Sequence, residues 1–175
     1  EVKNHPRVGN HNAAPSCGDG GHSVSLLTED HHMAHFFADE TVDFLDQMKG
    51  KENPFCAVLS FYGPHCPVCP PEPWADMYSL DEVPLPENFH TSLDGKPLFQ
   101  STNPRTFVRP WWKEEQFRDY VRRYWGYVSY IDAQIERVLE TLSNNNQEKD
   151  TIVVFTSDHG DMVAQFGMLY KLTYC

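Results

Sequence analysis

The sequence is short of positive charge. Its 14 Lys and Arg face 25 Asp and Glu, a formal net charge of -11. That balance excludes the basic stripe by which nucleic-acid-binding domains are usually recognised, so no nucleic-acid partner is expected. It does not exclude a small anionic substrate, because a local site can be positive on an acidic protein. Long apolar runs are also missing. None approaches the roughly 18 to 20 residues that span a bilayer, so no membrane span is expected in this chain. The first residues, "EVKNHPRVGN", lack the apolar core of a secretory signal. The five cysteines, Cys17, Cys56, Cys66, Cys69 and Cys175, are odd in number and irregularly spaced, which does not read as a disulfide framework and leaves the compartment open. No internal repeat is visible.

What is present is enough for one folded domain. The chain has 175 residues, 40 % hydrophobic and 13 % aromatic, a composition that can build a core. Residues 1–32 carry Gly, Asn, Pro and His without period and read as an irregular N-terminal segment. Residues 33–48 have helical spacing, with Phe37, Thr41, Phe44, Leu45 and Met48 on one face. "FCAVLSFY", residues 55–62, reads as a strand buried on both faces. Residues 63–113 hold most of the prolines and form a long excursion within the domain. Residues 114–142 are the clearest helix, with Phe117, Val121, Tyr124, Val128, Ile131, Ile135, Val138 and Leu142 at alternating steps of four and three. Trp125, Tyr127, Tyr130 and Leu139 widen that face beyond a coiled-coil seam, which favours packing on a sheet. Residues 151–156 are the next strand. Strand, excursion, helix, strand is an α/β order.

Three stretches carry chemistry. "TIVVFTSDHGDM" ends a β-branched run in Asp158, His159, Gly160 and Asp161. Sites in open α/β sheets lie beyond the carboxyl ends of strands, and an oxygen and a nitrogen donor side by side suit a divalent cation. An Asp-Gly-type turn with a capping Asp is the ordinary alternative. "SFYGPHCPVCPPEPWADMY" follows the other strand and sets His65 between two prolines, where it can donate to a leaving-group oxygen or a bound anion. An exposed loop histidine is the alternative. "GMLYK" ends in Lys171, which can place a point charge on a tetrahedral oxyanion or be a solvated surface lysine.

Together, these stretches and the helix "YWGYVSYIDAQIERVLETL" resemble the sulfatase family of the alkaline phosphatase superfamily, from about Ala34 to the C-terminus. The resemblance implies an α/β, alkaline phosphatase-like three-layer sandwich with a central, largely parallel sheet, incomplete in this chain. It implies that Asp158 and His159 are metal ligands, His159 standing where many sulfatases have Asn. Lys171 would touch the sulfate or phosphate oxygens and His65 the ester oxygen. The metal would be calcium first, with manganese or magnesium as alternatives, and the imidazole pulls toward transition ions. The substrate would be a small-molecule or sugar sulfate ester. Relatives are often periplasmic, secreted or lysosomal.

The chain also departs from the family pattern. The family's nucleophile is a cysteine converted to formylglycine within Cys/Ser-x-Pro-x-Arg, and no stretch here fits; Cys69 is followed directly by Pro70 and Cys17 lies in "CGDGG". The early strand that carries further aspartates is not found, and at Phe166 many relatives have His. The expectation is therefore an internal part of a sulfatase catalytic domain, inactive by itself. The rivals are a phosphonate or phosphate ester hydrolase of the same superfamily and a non-catalytic, degenerate binding domain.

Other features read as structural. His31 and His35 in "EDHHMAH" have zinc-pair spacing but no third ligand, and His32 is expected to face solvent. Cys66 and Cys69 in "CPVC" are close enough to oxidise but have no second pair. Asp132 inside the long helix is expected to bond to a neighbouring loop. Trp111 and Trp112 are read as packing under the excursion rather than a sugar platform. Arg105 and Arg109 could meet an anion, with no motif behind them.

Overall fold

Two helices organise the chain. In the computed structural model, residues 21–98 and 112–171 are described. Helix α1 is Met33–Met48 and helix α2 is Glu114–Asn144. His32 caps α1, its Nδ1 accepting from the Ala34 N–H at 3.3 Å. At the start of α2 the Lys113 N–H donates to Gln116 Oε1 at 2.9 Å, and Asn146 at φ +59° leads the chain out beyond its end.

The two helices pack on each other through Ala34, Phe36, Ala38 and Leu45 of α1. The predicted stripe is rotated by part of a turn: Phe37, Thr41, Phe44 and Met48 are only half-buried, while Ala34 and Ala38 are buried. Arg137 of α2 reaches Asp39 of α1, and the Asn145 Nδ2 donates to Asp46 at 2.7 Å. On α2 the buried residues include Phe117, Tyr120, Val121, Tyr127, Tyr130, Ile131, Gln134 and Leu142. The tyrosines, more than the predicted valines, form the inner face; Val128 is 45 % exposed. Asp132 is exposed, so its carboxylate carries no burial cost. His32, in contrast to the solvent-facing expectation, is buried edge-on against Tyr127 and Tyr130, with ring centroids at 5.5 and 5.1 Å.

The described part of the proline-rich excursion is laid across α2. Its turn Trp74–Asp76 crosses at Gly126, where an added Cβ would lie 2.0 Å from the Trp74 carbonyl oxygen. Only a glycine lets the two backbones meet there. Tyr78 and Ser129 share a hydrogen bond of 2.8 Å, and the Arg118 guanidinium donates to the Val83 carbonyl. Residues 21–25 run beside 68–70, with the Val68 N–H donating to the Gly21 carbonyl at 2.8 Å and the Ser23 N–H to the Val68 carbonyl at 3.1 Å. This parallel bridge between His22 and Val68 gives order to the end of a segment read as irregular.

The expected central sheet is not formed among the described residues. Residues 55–62 and 151–157 form no strand, and both are open to solvent: Val58 is 89 % and Phe155 is 83 % exposed. The expectation of buried strands is corrected here. Strand burial needs neighbours to receive the backbone hydrogen bonds and cover both faces, and no described segment does so.

A charged cluster ties the N-terminal segment at His22 to α2 and predicts a pH response. Asp119 accepts from Arg122 Nε at 2.6 Å and lies 2.9 Å from His22 Nε2. Burial acts to raise its pKa, but the His22 and Arg122 hydrogen bonds outweigh it and hold the carboxyl well below the ordinary carboxylate range. A depressed carboxylate contributes stability above its unfolded pKa of about 3.9, and that contribution is lost as pH falls through the folded value. Asp119→Asn is expected to cost about 2 kcal/mol at neutral pH and to flatten the acid limb of stability below about pH 4. Denaturant midpoints measured from pH 2 to 7 check this; parallel curves for the two proteins would refute it.

Candidate active site

Segment 151–157 delivers Asp158 and His159 to the surface, and a tight hairpin brings Lys171 back to them. In that hairpin the Met162 N–H donates to the Tyr170 carbonyl at 2.7 Å and the Ala164 N–H to the Met168 carbonyl at 2.9 Å. Ala164, Met168 and Leu169 are buried, and Ala164 and Leu169 belong to the core cluster that contains Val68, Val83 and Tyr120. The backbone is demanding: Val163, Ala164, Phe166 and Tyr170 all have positive φ, between 44° and 71°. Such conformations are rare for side-chain-bearing residues and persist only where the surroundings impose them.

The result is a close group of three side chains. His159 Nδ1–H donates to the Gly160 carbonyl at 2.8 Å. That fixes the tautomer, so Nε2 presents its lone pair, and Lys171 Nζ donates to it at 2.8 Å. Asp158 Oδ2 lies 3.3 Å from the same Nε2, while its Oδ1 accepts from the His159 N–H at 2.8 Å. The Asp158 side chain is 83 % exposed and Lys171 is half-buried.

His65 follows the other segment, 55–62. Its Nδ1–H donates to the Cys66 carbonyl at 2.6 Å and its ring lies 4.8 Å from that of Tyr62. It is half-buried, with Nε2 left as the atom to meet a ligand. Asp161, two residues beyond His159, accepts from the Val163 N–H at 3.0 Å. Burial pushes the Asp161 carboxyl above its ordinary range, against that N–H and the nearby His159 and His65 imidazoles, which pull it down.

Asp161 is the residue that sequence reasoning passed over as a turn cap. Its spacing to Val163 is an ordinary Asx-turn signal. Tyr120 was missed as well: its hydroxyl is buried without a hydrogen-bond partner, and its phenol pKa is pushed up by burial first and by Asp161 next.

Asp158 and His159 present the kinds of donor atom that a divalent ion accepts. One hard oxygen and one imidazole nitrogen lie side by side, and His159 Nε2 already faces a cationic group. Among the described residues there is no group of three or more His, Cys, Asp or Glu that could hold a metal. His31 and His35 do not make a zinc pair. His31 belongs to the separate turn Glu29–His31 and bonds Thr28 at 2.9 Å, while His35 lies 3.6 Å from Asp39. Cys66 and Cys69 are thiols, and Cys69 Sγ is 3.1 Å from Ser23 Oγ. Trp112 packs edge-on against Phe117 at 5.1 Å and lines a cavity of about 420 Å³ with Phe89, His90, Glu114 and Phe166. Arg105, Arg109 and Trp111, like Cys17 and Cys175, lie outside the described residues.

Comparison with known proteins identifies a family. A family model described as Sulfatase matches residues 2–173. An arylsulfatase of Clostridium perfringens is 30 % identical over 145 residues, 82 % of this chain and 29 % of the relative. A choline-sulfatase of Rhizobium meliloti is 27 % identical over 171 residues, 94 % of this chain and 33 % of the relative. A multifunctional alkaline phosphatase superfamily protein of Trinickia caryophylli is 27 % identical over 176 residues, 89 % of this chain and 34 % of the relative. The chain thus spans about a third or less of each. With nearly every residue inside the family match, this chain belongs to the sulfatase family of hydrolases, whose fold is of the alkaline phosphatase-like α/β type.

Proposed function

We propose that the whole protein hydrolyses a sulfate ester of a small molecule or sugar, and that Asp158, His159, Lys171 and His65 act in that reaction. The observation that carries this reading is His159 Nε2, held between Lys171 Nζ at 2.8 Å and Asp158 Oδ2 at 3.3 Å. Metal ligand and anion-binding cation stand together there, as transfer of a sulfuryl group requires.

In this reading Asp158 and His159 hold a divalent ion together with ligands outside the described residues. Calcium is the first candidate, with manganese or magnesium next. When bound, such an ion polarises a sulfuryl oxygen as a Lewis acid. Lys171 binds the equatorial sulfuryl oxygens and stabilises the charge that grows on them. His65 is held by its Nδ1–H on the Cys66 carbonyl, so the neutral ring presents an Nε2 lone pair, and it is the doubly protonated imidazolium that passes its Nε2 proton to the departing alcohol oxygen and returns to that neutral form. No residue of this chain is assigned as the nucleophile, and the 175 residues alone are not expected to turn over an aryl sulfate.

A phosphate or phosphonate ester is the second reading. The imidazole of His159 favours it, because a nitrogen ligand draws transition ions better than calcium. Calorimetric titration of the whole protein with calcium and with manganese tests the metal assignment. Asp158→Asn is expected to weaken binding of the preferred ion at least about tenfold, since it removes a ligand charge; an unchanged affinity would remove Asp158 from the site.

A further inference from the structure

We propose that Tyr62 is the positioning residue of His65: its ring and its hydroxyl fix the imidazole on the Cys66 carbonyl and so keep Nε2 turned toward the departing oxygen. The proposal rests on the reading of His65 given above and deepens it.

Tyr62 meets the turn that carries His65 in three ways. The His65 N–H donates to the Tyr62 carbonyl at 3.2 Å, which closes the turn. The two rings lie against each other, with centroids 4.8 Å apart and planes at 45°. The Tyr62 hydroxyl donates to the Cys66 carbonyl at 3.3 Å. That is the same oxygen on which the His65 Nδ1–H rests at 2.6 Å. A carbonyl oxygen has two lone pairs and can serve both donors. One side chain therefore holds the imidazole by its face and also holds the acceptor that the imidazole uses. The first contact is made by backbone and survives substitution. The other two belong to the tyrosine side chain.

The turn itself is seated on the core. A Cβ at Gly63 would lie 2.5 Å from the ring of Tyr127, so a glycine is needed for the backbone to come this near α2. Tyr127 is buried. The fold thus fixes the base of the turn, while the His65 ring depends on its neighbours. The terminal ring torsion of histidine is broad, and a half-buried ring on a single hydrogen bond can flip and exchange its two nitrogens. The Tyr62 ring resists that flip. Tyr62 is 53 % exposed, so it is not a core residue, and its hydroxyl is committed to a carbonyl rather than offered to substrate. Tyr62→Phe removes the hydroxyl and keeps the ring. Tyr62→Leu removes both.

The direct readout is the tautomer of His65. The whole protein is labelled with nitrogen-15 in its histidine rings and observed by NMR with the ring neutral; the His65 signals are those lost in His65→Gln. The native protein is expected to show the Nδ1–H form. Tyr62→Leu is expected to turn it into a mixture of the two tautomers, and Tyr62→Phe into a mixture with a smaller Nε2–H share. An unchanged tautomer in folded Tyr62→Leu would overturn the proposal, and Tyr62→Phe decides in the same way if the Leu form does not fold.

Turnover gives the second readout. Tyr62→Leu should lower kcat/KM roughly 10- to 100-fold for an alkyl sulfate, the cost of a misplaced catalytic group. For 4-nitrophenyl sulfate, which needs no proton, the loss should be slight. A merely structural role would lower both rates alike and would overturn the proposal. On a His65→Gln background Tyr62→Leu should have no further effect, because both act through one imidazole; full additivity would also overturn it. If His65→Gln alone leaves turnover of the alkyl sulfate intact, the functional reading of His65 fails, while the tautomer still decides the role of Tyr62.

Discussion

Lys171→Met is expected to lower kcat/KM of the whole protein for a sulfate ester by roughly 10²- to 10³-fold, the usual cost of removing one preorganised donor to a developing oxyanion. Met keeps the length and apolar stem of Lys and removes only the ammonium. The hairpin that carries it is anchored by Ala164, Met168 and Leu169 in the core, so the substitution leaves the fold in place. The loss should fall on kcat more than on KM if the ammonium meets charge that grows in the transition state, and on KM if it only holds the ground-state anion. In the resting site the ammonium is engaged by His159 Nε2. The variant therefore also frees that nitrogen. Steady-state kinetics of the two proteins on one ester measure the effect. A change within about twofold, below what any charged contact to the reacting group should give, would show that Lys171 is a surface lysine.

His65→Gln should show an effect that depends on the leaving group. A group that passes a proton to the departing oxygen matters most when that oxygen is basic. For an alkyl or sugar sulfate the loss should be about 10²- to 10⁴-fold. For 4-nitrophenyl sulfate, whose phenolate leaves without help, it should be slight. Measuring both esters on both proteins separates proton donation from simple binding, which would lower the two rates alike. The position of His65 supports the directional effect. Its Nδ1 is committed to the Cys66 carbonyl at 2.6 Å, so the ring cannot turn to present either nitrogen at will.

The parts of the structure that are local in sequence were legible. Helix α1 runs over the residues its spacing marked, and α2 extends only two residues beyond 114–142, because a 3.6-residue period is written in neighbouring residues. The burial within them was less so. Which side of α1 is innermost depends on Ala34 and Ala38 meeting α2, a tertiary fact that a count of large apolar residues overlooks. Segments 55–62 and 151–157, read as strands from their β-branched and aromatic residues, carry no regular secondary structure. Their burial did not follow, because a strand's partners lie elsewhere in sequence and none is among the described residues.

The site divides in the same way. Asp158 and His159 are neighbours in sequence, and their meeting with Lys171, twelve residues on, came from a family resemblance and is seen in the structure as a 2.8 Å contact. Asp161 sits in the same quoted stretch, yet its partner was hidden. It bonds the backbone N–H of Val163, and a backbone group carries no residue identity. His32 was misjudged for a related reason. As an N-cap it was free to turn inward onto Tyr127 and Tyr130, which a pattern of charged neighbours does not reveal.

The central claim is sulfate ester hydrolysis dependent on a divalent ion. Its most direct test is a paired assay of the whole protein on 4-nitrophenyl sulfate and 4-nitrophenyl phosphate, before and after chelation. The account predicts turnover of the sulfate in preference to the phosphate, lost with chelator and restored by calcium or manganese. Preference for the phosphate would contradict the sulfate assignment in favour of the second reading. No turnover of either ester with every metal supplied would contradict the enzymatic account as a whole.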